Sequence, residues 1–172
     1  MYCRFDRSID YGRAWLCFVP PVNKLIHHFK YRKKTHLATL FGRALASIIM
    51  SDPVLHTADI LVPVPLFWFK RLYRGYNQSI LLANVISTNT GLAQENVLKR
   101  IRHTRTQTRL SEQARRENIV GAFSSTNQSL HNKTVLLIDD VLTTGATVNE
   151  CARILKQAGA SKVYSCVAAI TP

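Results

Sequence analysis

Two adjacent carboxylates, Asp139 and Asp140, close an aliphatic run and precede a turn of hydroxyls and glycine, Thr143-Thr144-Gly145-Ala146-Thr147, in the stretch VLLIDDVLTTGAT. Carboxylates accept hydrogen bonds from sugar hydroxyls and repel phosphate. The turn is suited to the opposite task. If it opens a helix, free N–H groups and the helix dipole favour phosphate, the threonine hydroxyls add donors, and Gly145 lets backbone approach closely. Together they point to a phosphorylated sugar, with its phosphate on the turn and its ring hydroxyls on the acids. An ordinary strand-to-helix connection with a helix cap would account for one acid or one threonine, not for the combination. The segment is neither a Walker A loop, since no Gly-Lys-Thr follows, nor the G-x-G-x-x-G dinucleotide fingerprint.

Such a site needs a strand that ends at the acids and a helix that starts at the turn. Thr134 to Asp139 (TVLLID) is a continuous apolar run of the kind found at the centre of a parallel sheet. A helix is expected from Thr147, with Val148, Cys151, Ala152 and Leu155 on one face and Gly159 as its stop, and Lys162 to Ile170 reads as a last strand. Upstream, VNKLIHHFKY carries Val22, Leu25, Ile26 and Phe29 at helical spacing. A second amphipathic helix begins near Thr35 and ends near Asp52-Pro53. Ile60 to Pro65 (ILVPVP) reads as a short strand running into a loop, and Asn77 or Ser79 can cap a helix that ends at Gly91. Val97 to Ile101 is another candidate strand. Arg102 to Asn118 is polar and basic, a long loop with or without a short helix. Strands alternating with helices imply an α/β fold, a Rossmann-like parallel sheet flanked by helices. Ligands of such sheets bind beyond the carboxyl ends of the strands, where Asp139 and Asp140 lie.

The 172 residues fit a single domain, 1–172, with about residues 1–52 as an N-terminal helical or hood part and 53–172 as the core that carries the acid motif. Apolar residues are 47% of the chain, enough for a packed core. No apolar run approaches the roughly 18 residues of a membrane span, so no membrane insertion is expected. The first residues lack the apolar centre of a secretory signal, which points to the cytoplasm. Among Cys3, Cys17, Cys151 and Cys166 there is no C-x-x-C pair, so buried thiols are expected at Cys151 and Cys166 rather than zinc or disulfides. The net charge of +13 calls for a polyanionic partner, either nucleic acid or a polyphosphorylated small molecule. The basic residues cluster at Lys30, Arg32, Lys33 and Lys34, at Lys70, Arg71 and Arg74, and from Lys99 to Arg116. Lys33 and Lys34 read as a solvated face. Trp68, beside Lys70 and Arg71, is either a platform for a nucleic-acid base or, with Phe69, part of the core or an interface.

VLLIDDVLTTGAT resembles the binding motif for phosphoribosyl pyrophosphate (PRPP) in type I phosphoribosyltransferases. The resemblance implies that Asp139 and Asp140 hold the ribose 2′- and 3′-hydroxyls, and that Thr143, Thr144, Gly145, Ala146 and Thr147 bind the 5′-phosphate. Ala146 stands where many members have glycine. Three further segments, VPVPLFWFKRLYRGYNQS, RTQTRLSEQARRENIVGAF and LIHHFKY, resemble the ComF family of competence proteins in the same order along the chain. That family is implied to have the type I phosphoribosyltransferase fold and to take part in DNA uptake and handling during natural transformation. Many members carry an N-terminal zinc module. Only Cys3 and Cys17 precede the domain here, so that module is expected to be absent.

The resemblance also implies a pyrophosphate loop at the end of the strand that closes with Val62-Pro63-Val64-Pro65, with Val64, Pro65, Lys70, Arg71 and Arg74 as candidates. Arg102 to Arg116 stands where phosphoribosyltransferases have a closing hood. There Arg105, Gln107 and Arg109 are the leading residues, and Arg105 and Arg109 join Asp139 and Asp140 as candidate catalytic groups. The competing reading of this segment is a loop that contacts DNA phosphates. Gly75-Tyr76-Asn77-Gln78 is either a turn and helix start or part of the ligand site. Mg²⁺ is expected as a companion of PRPP rather than as an ion held by protein side chains. Three functions stay open: a PRPP-binding competence protein, with single-stranded DNA and competence-machinery proteins as partners; an ordinary phosphoribosyltransferase with an unidentified acceptor; and a non-catalytic PRPP sensor.

Overall fold

A computed structural model describes residues 8–102, 118–126 and 130–172. The chain runs through β1 (Tyr11–Cys17), α1 (Val22–Tyr31), α2 (Leu37–Ser51), a 3₁₀ turn (Leu55–Thr57), β2 (Ile60–Pro63), α3 (Trp68–Arg74), α4 (Gln78–Thr90), β3 (Ala93–Gln94), β4 (Leu98–Arg100), β5 (Phe123–Ser125), β6 (Thr134–Leu142), α5 (Ala146–Gln157) and β7 (Lys162–Ile170). Five strands form one sheet in the order β1-β7-β6-β2-β3, and every pairing in it is parallel. β4 and β5 form a separate antiparallel ribbon. The expected α/β class and parallel sheet are thus present.

β6 lies between β2 and β7, and its residues Val135 to Ile138 are fully buried. This is why the sequence there is a continuous aliphatic run rather than an alternating one. The sheet is covered on both faces. On one side α5 packs Val148, Cys151, Ala152 and Leu155 with Val135, Leu137 and Val163. On the other, α2 and α4 bring Phe41, Leu45, Leu82 and Ile86 against Leu136, Ile138 and Tyr164. Gly42 lets α2 and α4 cross closely, since a Cβ there would stand 2.6 Å from Val85 Cβ.

Four elements differ from the sequence expectation. β6 does not end at the acids but continues through them to Leu142, and Asp139 and Val141 still pair with Val167 and Ala169 of β7. Residues 1–52 contribute more than helices, because β1 forms an edge of the main sheet beside β7. The strand expected from Val97 to Ile101 is the short β4, which pairs outside the main sheet. The helix after the turn starts at Ala146, one residue before the expected Thr147.

Candidate functional site

A cleft of about 670 Å³ opens beyond the carboxyl ends of β2 and β6. Val64 and Pro65 line it after β2, Asp139 to Leu142 at the end of β6, and Thr143, Gly145, Ala146 and Thr147 on the turn into α5. α1 closes it with Ile26, His27, His28, Lys30 and Tyr31, and Arg74, Asn77, Gln78, Ser79 and Arg100 complete much of the wall. The turn has the conformation its glycine allows, with Gly145 at φ +75° and Asn149 N–H bonded to Gly145 O at 2.9 Å. Thr144 is not among the lining residues. Its hydroxyl accepts the Ala146 N–H at 3.5 Å, at the outer limit of a hydrogen bond.

The two acids are held differently. Asp139 Oδ1 accepts from Ser79 Oγ at 2.9 Å and from the Asp140 N–H at 2.8 Å. Burial, reinforced by the neighbouring charge of Asp140, pushes the Asp139 carboxyl up to about 7, against the opposing pull of Lys30 and these hydrogen bonds. Asp140 is buried and ion-paired, its Oδ1 lying 2.7 Å from Lys30 Nζ. The pair is thus asymmetric: Lys30 meets Asp140, while burial favours the neutral form of Asp139.

The start of α4 organises the cleft. Asn77 caps the helix by accepting the Ser79 N–H at 3.0 Å, and its Nδ2 donates to Val64 O at 3.0 Å. Ser79 reaches Asp139. The Tyr76 hydroxyl donates to Phe29 O, and Gln78 Nε2 donates to Lys30 O at 3.5 Å. Arg74 joins Gln78 Oε1 at 3.1 Å and the Tyr31 hydroxyl at 3.0 Å, with its guanidinium 4.6 Å from the Tyr31 ring centre. Four consecutive residues thus tie the end of β2, the acid on β6 and the last turn of α1 together. Residues 75–78 form the turn into α4, and Asn77 and Gln78 also face the cleft.

Among the pyrophosphate candidates, Val64, Pro65 and Arg74 reach the cleft. Lys70 is half-buried behind it, and its ammonium is pushed down by burial and then by the positive charges of Arg100, Arg74 and Lys30. Arg71 is exposed on α3 and outside the lining. Arg105, Gln107 and Arg109, with the rest of 103–117, lie outside the described residues. Trp68 and Phe69 are not core: they are 64% and 56% exposed. Lys33 and Lys34 are exposed, as expected of a solvated face. Cys151 and Cys166 are fully buried, as expected, and Cys3 lies outside the described residues. Sequence reasoning missed Lys30, Ser79 and Arg100 as parts of the site. Lys30 was visible only as one member of a basic cluster, and Ser79 only as a possible cap.

A parallel sheet that carries paired acids toward the carboxyl end of its central strand and a glycine turn into a helix is the architecture of the phosphoribosyltransferases. Residues 77–171 match the family model of the phosphoribosyl transferase domain. Two solved structures share the fold: adenine phosphoribosyltransferase of Leishmania tarentolae (TM-score 0.54, 12% identity, 98% of this chain and 80% of that one), and glutamine PRPP amidotransferase of Bacillus subtilis (TM-score 0.51, 24% identity, 76% of this chain and 25% of that one). At the level of sequence the chain is similar to competence protein F of Haemophilus influenzae, 33% identical over 92% of this chain and 70% of the relative. It is also similar to DNA utilization protein YhgH of Salmonella typhimurium, 34% identical over 85% of this chain and 66% of the relative. Competence protein ComFC of Bacillus subtilis is 30% identical over 80% of this chain and 55% of the relative. The chain belongs to the ComF family of phosphoribosyltransferase-fold proteins, and it spans between 55% and 70% of the length of these relatives.

Proposed function

We propose that the cleft binds PRPP and that this binding serves DNA handling during natural transformation. One observation carries the reading: Asp139 and Asp140 stand in the carboxyl-terminal half of the central strand, in the same cleft as the Gly145 turn. The acids supply acceptors for the two ribose hydroxyls. The first-turn N–H groups of α5, with the hydroxyls of Thr143 and Thr147, supply donors for the 5′-phosphate. The end of β2 at Val64 and Pro65, with Arg74 and Arg100, faces the remaining anionic part of the ligand.

Mg²⁺ fits this arrangement as an ion brought by the ligand. No cluster of three or more His, Cys, Asp or Glu side chains capable of holding a metal occurs among the described residues. Bound to pyrophosphate oxygens, Mg²⁺ would neutralise charge on a leaving group. In the full reaction the bond from ribose C1 to the pyrophosphate oxygen breaks, a new bond forms from C1 to an acceptor nucleophile, and pyrophosphate leaves with the electron pair. The chain's own contribution is to position the ribose and to stabilise charge.

The role in DNA handling rests on the names of the relatives and on the net charge of +13. No helix among the described residues is long and apolar enough to cross a membrane. Cys151 and Cys166 are buried in the core, as thiols of a reducing compartment such as the cytoplasm commonly are. Calorimetric titration with PRPP, with and without Mg²⁺, tests the reading. Binding that ribose 5-phosphate competes away supports it, while competition by pyrophosphate alone would remove the turn as the 5′-phosphate site. A pyrophosphate-release assay over nucleobases and amines then decides whether binding leads to turnover.

A further inference from the structure

Lys30 occupies an acceptor that a sugar hydroxyl would need. Its ammonium lies 2.7 Å from Asp140 Oδ1, and the two side chains are only 22% and 9% exposed. The contact is built rather than incidental. Lys30 sits in the last turn of α1, whose backbone is held by Tyr76 at Phe29 O and by Gln78 at Lys30 O, and whose Tyr31 is clasped by Arg74. A diol that takes both acids therefore competes with Lys30 for Asp140. A largely buried ammonium left without a partner is costly, so displacement is favourable only if the same ligand offers Lys30 another anion. The cleft already carries Arg74 and Arg100, and Lys70 behind it senses the charges of Arg100, Arg74 and Lys30 together. Lys30, Arg74 and Arg100 on the cleft wall thus outnumber the two acids.

We propose that Lys30 is a specificity-determining residue, an exchangeable counter-ion that leaves Asp140 for the pyrophosphate of the bound ligand. The site thereby discriminates for a ribose bearing pyrophosphate and against a ribose with a single phosphate. This deepens the PRPP reading and rests on it for the ribose half of the ligand. The anion half is tested independently with inorganic pyrophosphate.

The test compares PRPP, ribose 5-phosphate and inorganic pyrophosphate, each with Mg²⁺, by calorimetry on wild type, Lys30→Met and Lys30→Arg, with thermal unfolding confirming that each variant is folded. Lys30→Met is expected to weaken PRPP and pyrophosphate at least about tenfold and to leave ribose 5-phosphate unchanged or tighter, because the competing ion pair is gone. Lys30→Arg should retain most of the PRPP affinity. If Lys30→Met fails to fold, Lys30→Gln carries the same comparison. Equal losses for all three ligands would mean that Lys30 merely holds Asp140 in place, and unchanged affinities would mean that it does not meet the anion. Either result overturns the proposal. A wild type that binds pyrophosphate in a Lys30-dependent way but neither ribose ligand would retain the Lys30 assignment and remove the PRPP reading.

Discussion

At the scale of single residues, the two acids of the motif have different energetics. Asp139 is the acid pushed up to about 7, by burial and by Asp140. In an unfolded chain an aspartate titrates near 4, roughly. The folded protein therefore holds the neutral form more tightly, and this contribution to stability is present below about pH 4 and lost as pH rises toward 7. Asparagine has no proton to lose. Asp139→Asn is thus expected to unfold at a higher temperature than wild type at pH 7 to 8, by on the order of 1–3 kcal/mol in stability, with the gap closing toward pH 4. Thermal melts across that range check this, and a gap that widened on acidification would reverse the sign. Asp140→Asn should not stabilise, because it strands the Lys30 ammonium. The acids were legible in sequence because strand, acids and turn are contiguous. Their partners Lys30 and Ser79 were not, because they lie far away in sequence and have residue types common on surfaces and at caps.

At the scale of elements, β1 shows why an edge strand of the sheet escaped reading. Its buried positions are filled by Gly12 and Ala14, so no bulky apolar alternation marks it. Arg13 and Tyr11 point toward Asp52 at the end of α2, with contacts of 2.6 and 2.8 Å, and Asp52 also accepts the N–H groups of Val54 and Leu55. Burial alone would raise the Asp52 carboxyl, but the hydrogen bonds from Leu55, Arg13, Tyr11 and Val54 outweigh it and hold it at about 2. The stability it contributes is present above about pH 4 and is lost as pH falls to about 2. Asp52→Asn should cost about 2 kcal/mol at neutral pH and flatten the acid limb of the stability profile, measurable by urea denaturation from pH 2 to 7. An unchanged acid limb would show that β1 and α2 are joined by packing alone. By contrast, the bounds of α1 and β7 could be read directly, since each carries an apolar pattern of its own along its whole length. The continuation of β6 through Asp139 to Leu142 could not. Apolar content stops at Ile138 while the hydrogen-bonded pairing with β7 does not.

At the scale of the whole molecule, the +13 charge and the exposed face of α3 go beyond what a small ligand needs. Leu72 and Tyr73 are 74% and 79% exposed, beside the exposed Trp68 and Phe69. If the protein handles single-stranded DNA directly, binding should show little sequence preference and a log–log salt slope of about −0.7 per phosphate neutralised. Replacing Arg105 and Arg109 by alanine should flatten that slope by roughly one to two units if they contact the DNA backbone. An unchanged slope with weakened PRPP binding would assign them to a closing hood instead. Fluorescence anisotropy over a salt series separates the two outcomes, and no binding at low salt would leave DNA handling to a protein partner. The sequence showed the excess charge but not how α3 would present its aromatics, because a short amphipathic segment reads alike whether its apolar face is covered or bare.

The measurement closest to the central claim is PRPP affinity, with Mg²⁺, in the Asp139→Asn, Asp140→Asn double variant. The paired acids, and not the fold around them, are held to accept the ribose hydroxyls. The gain from neutralising Asp139 and the loss from stranding Lys30 oppose each other, so the double variant should stay folded with a melting temperature near that of wild type. Calorimetry on wild type should show PRPP binding, and the double variant should show none at the same concentrations. A folded double variant that binds PRPP as tightly as wild type would contradict the assignment of the site.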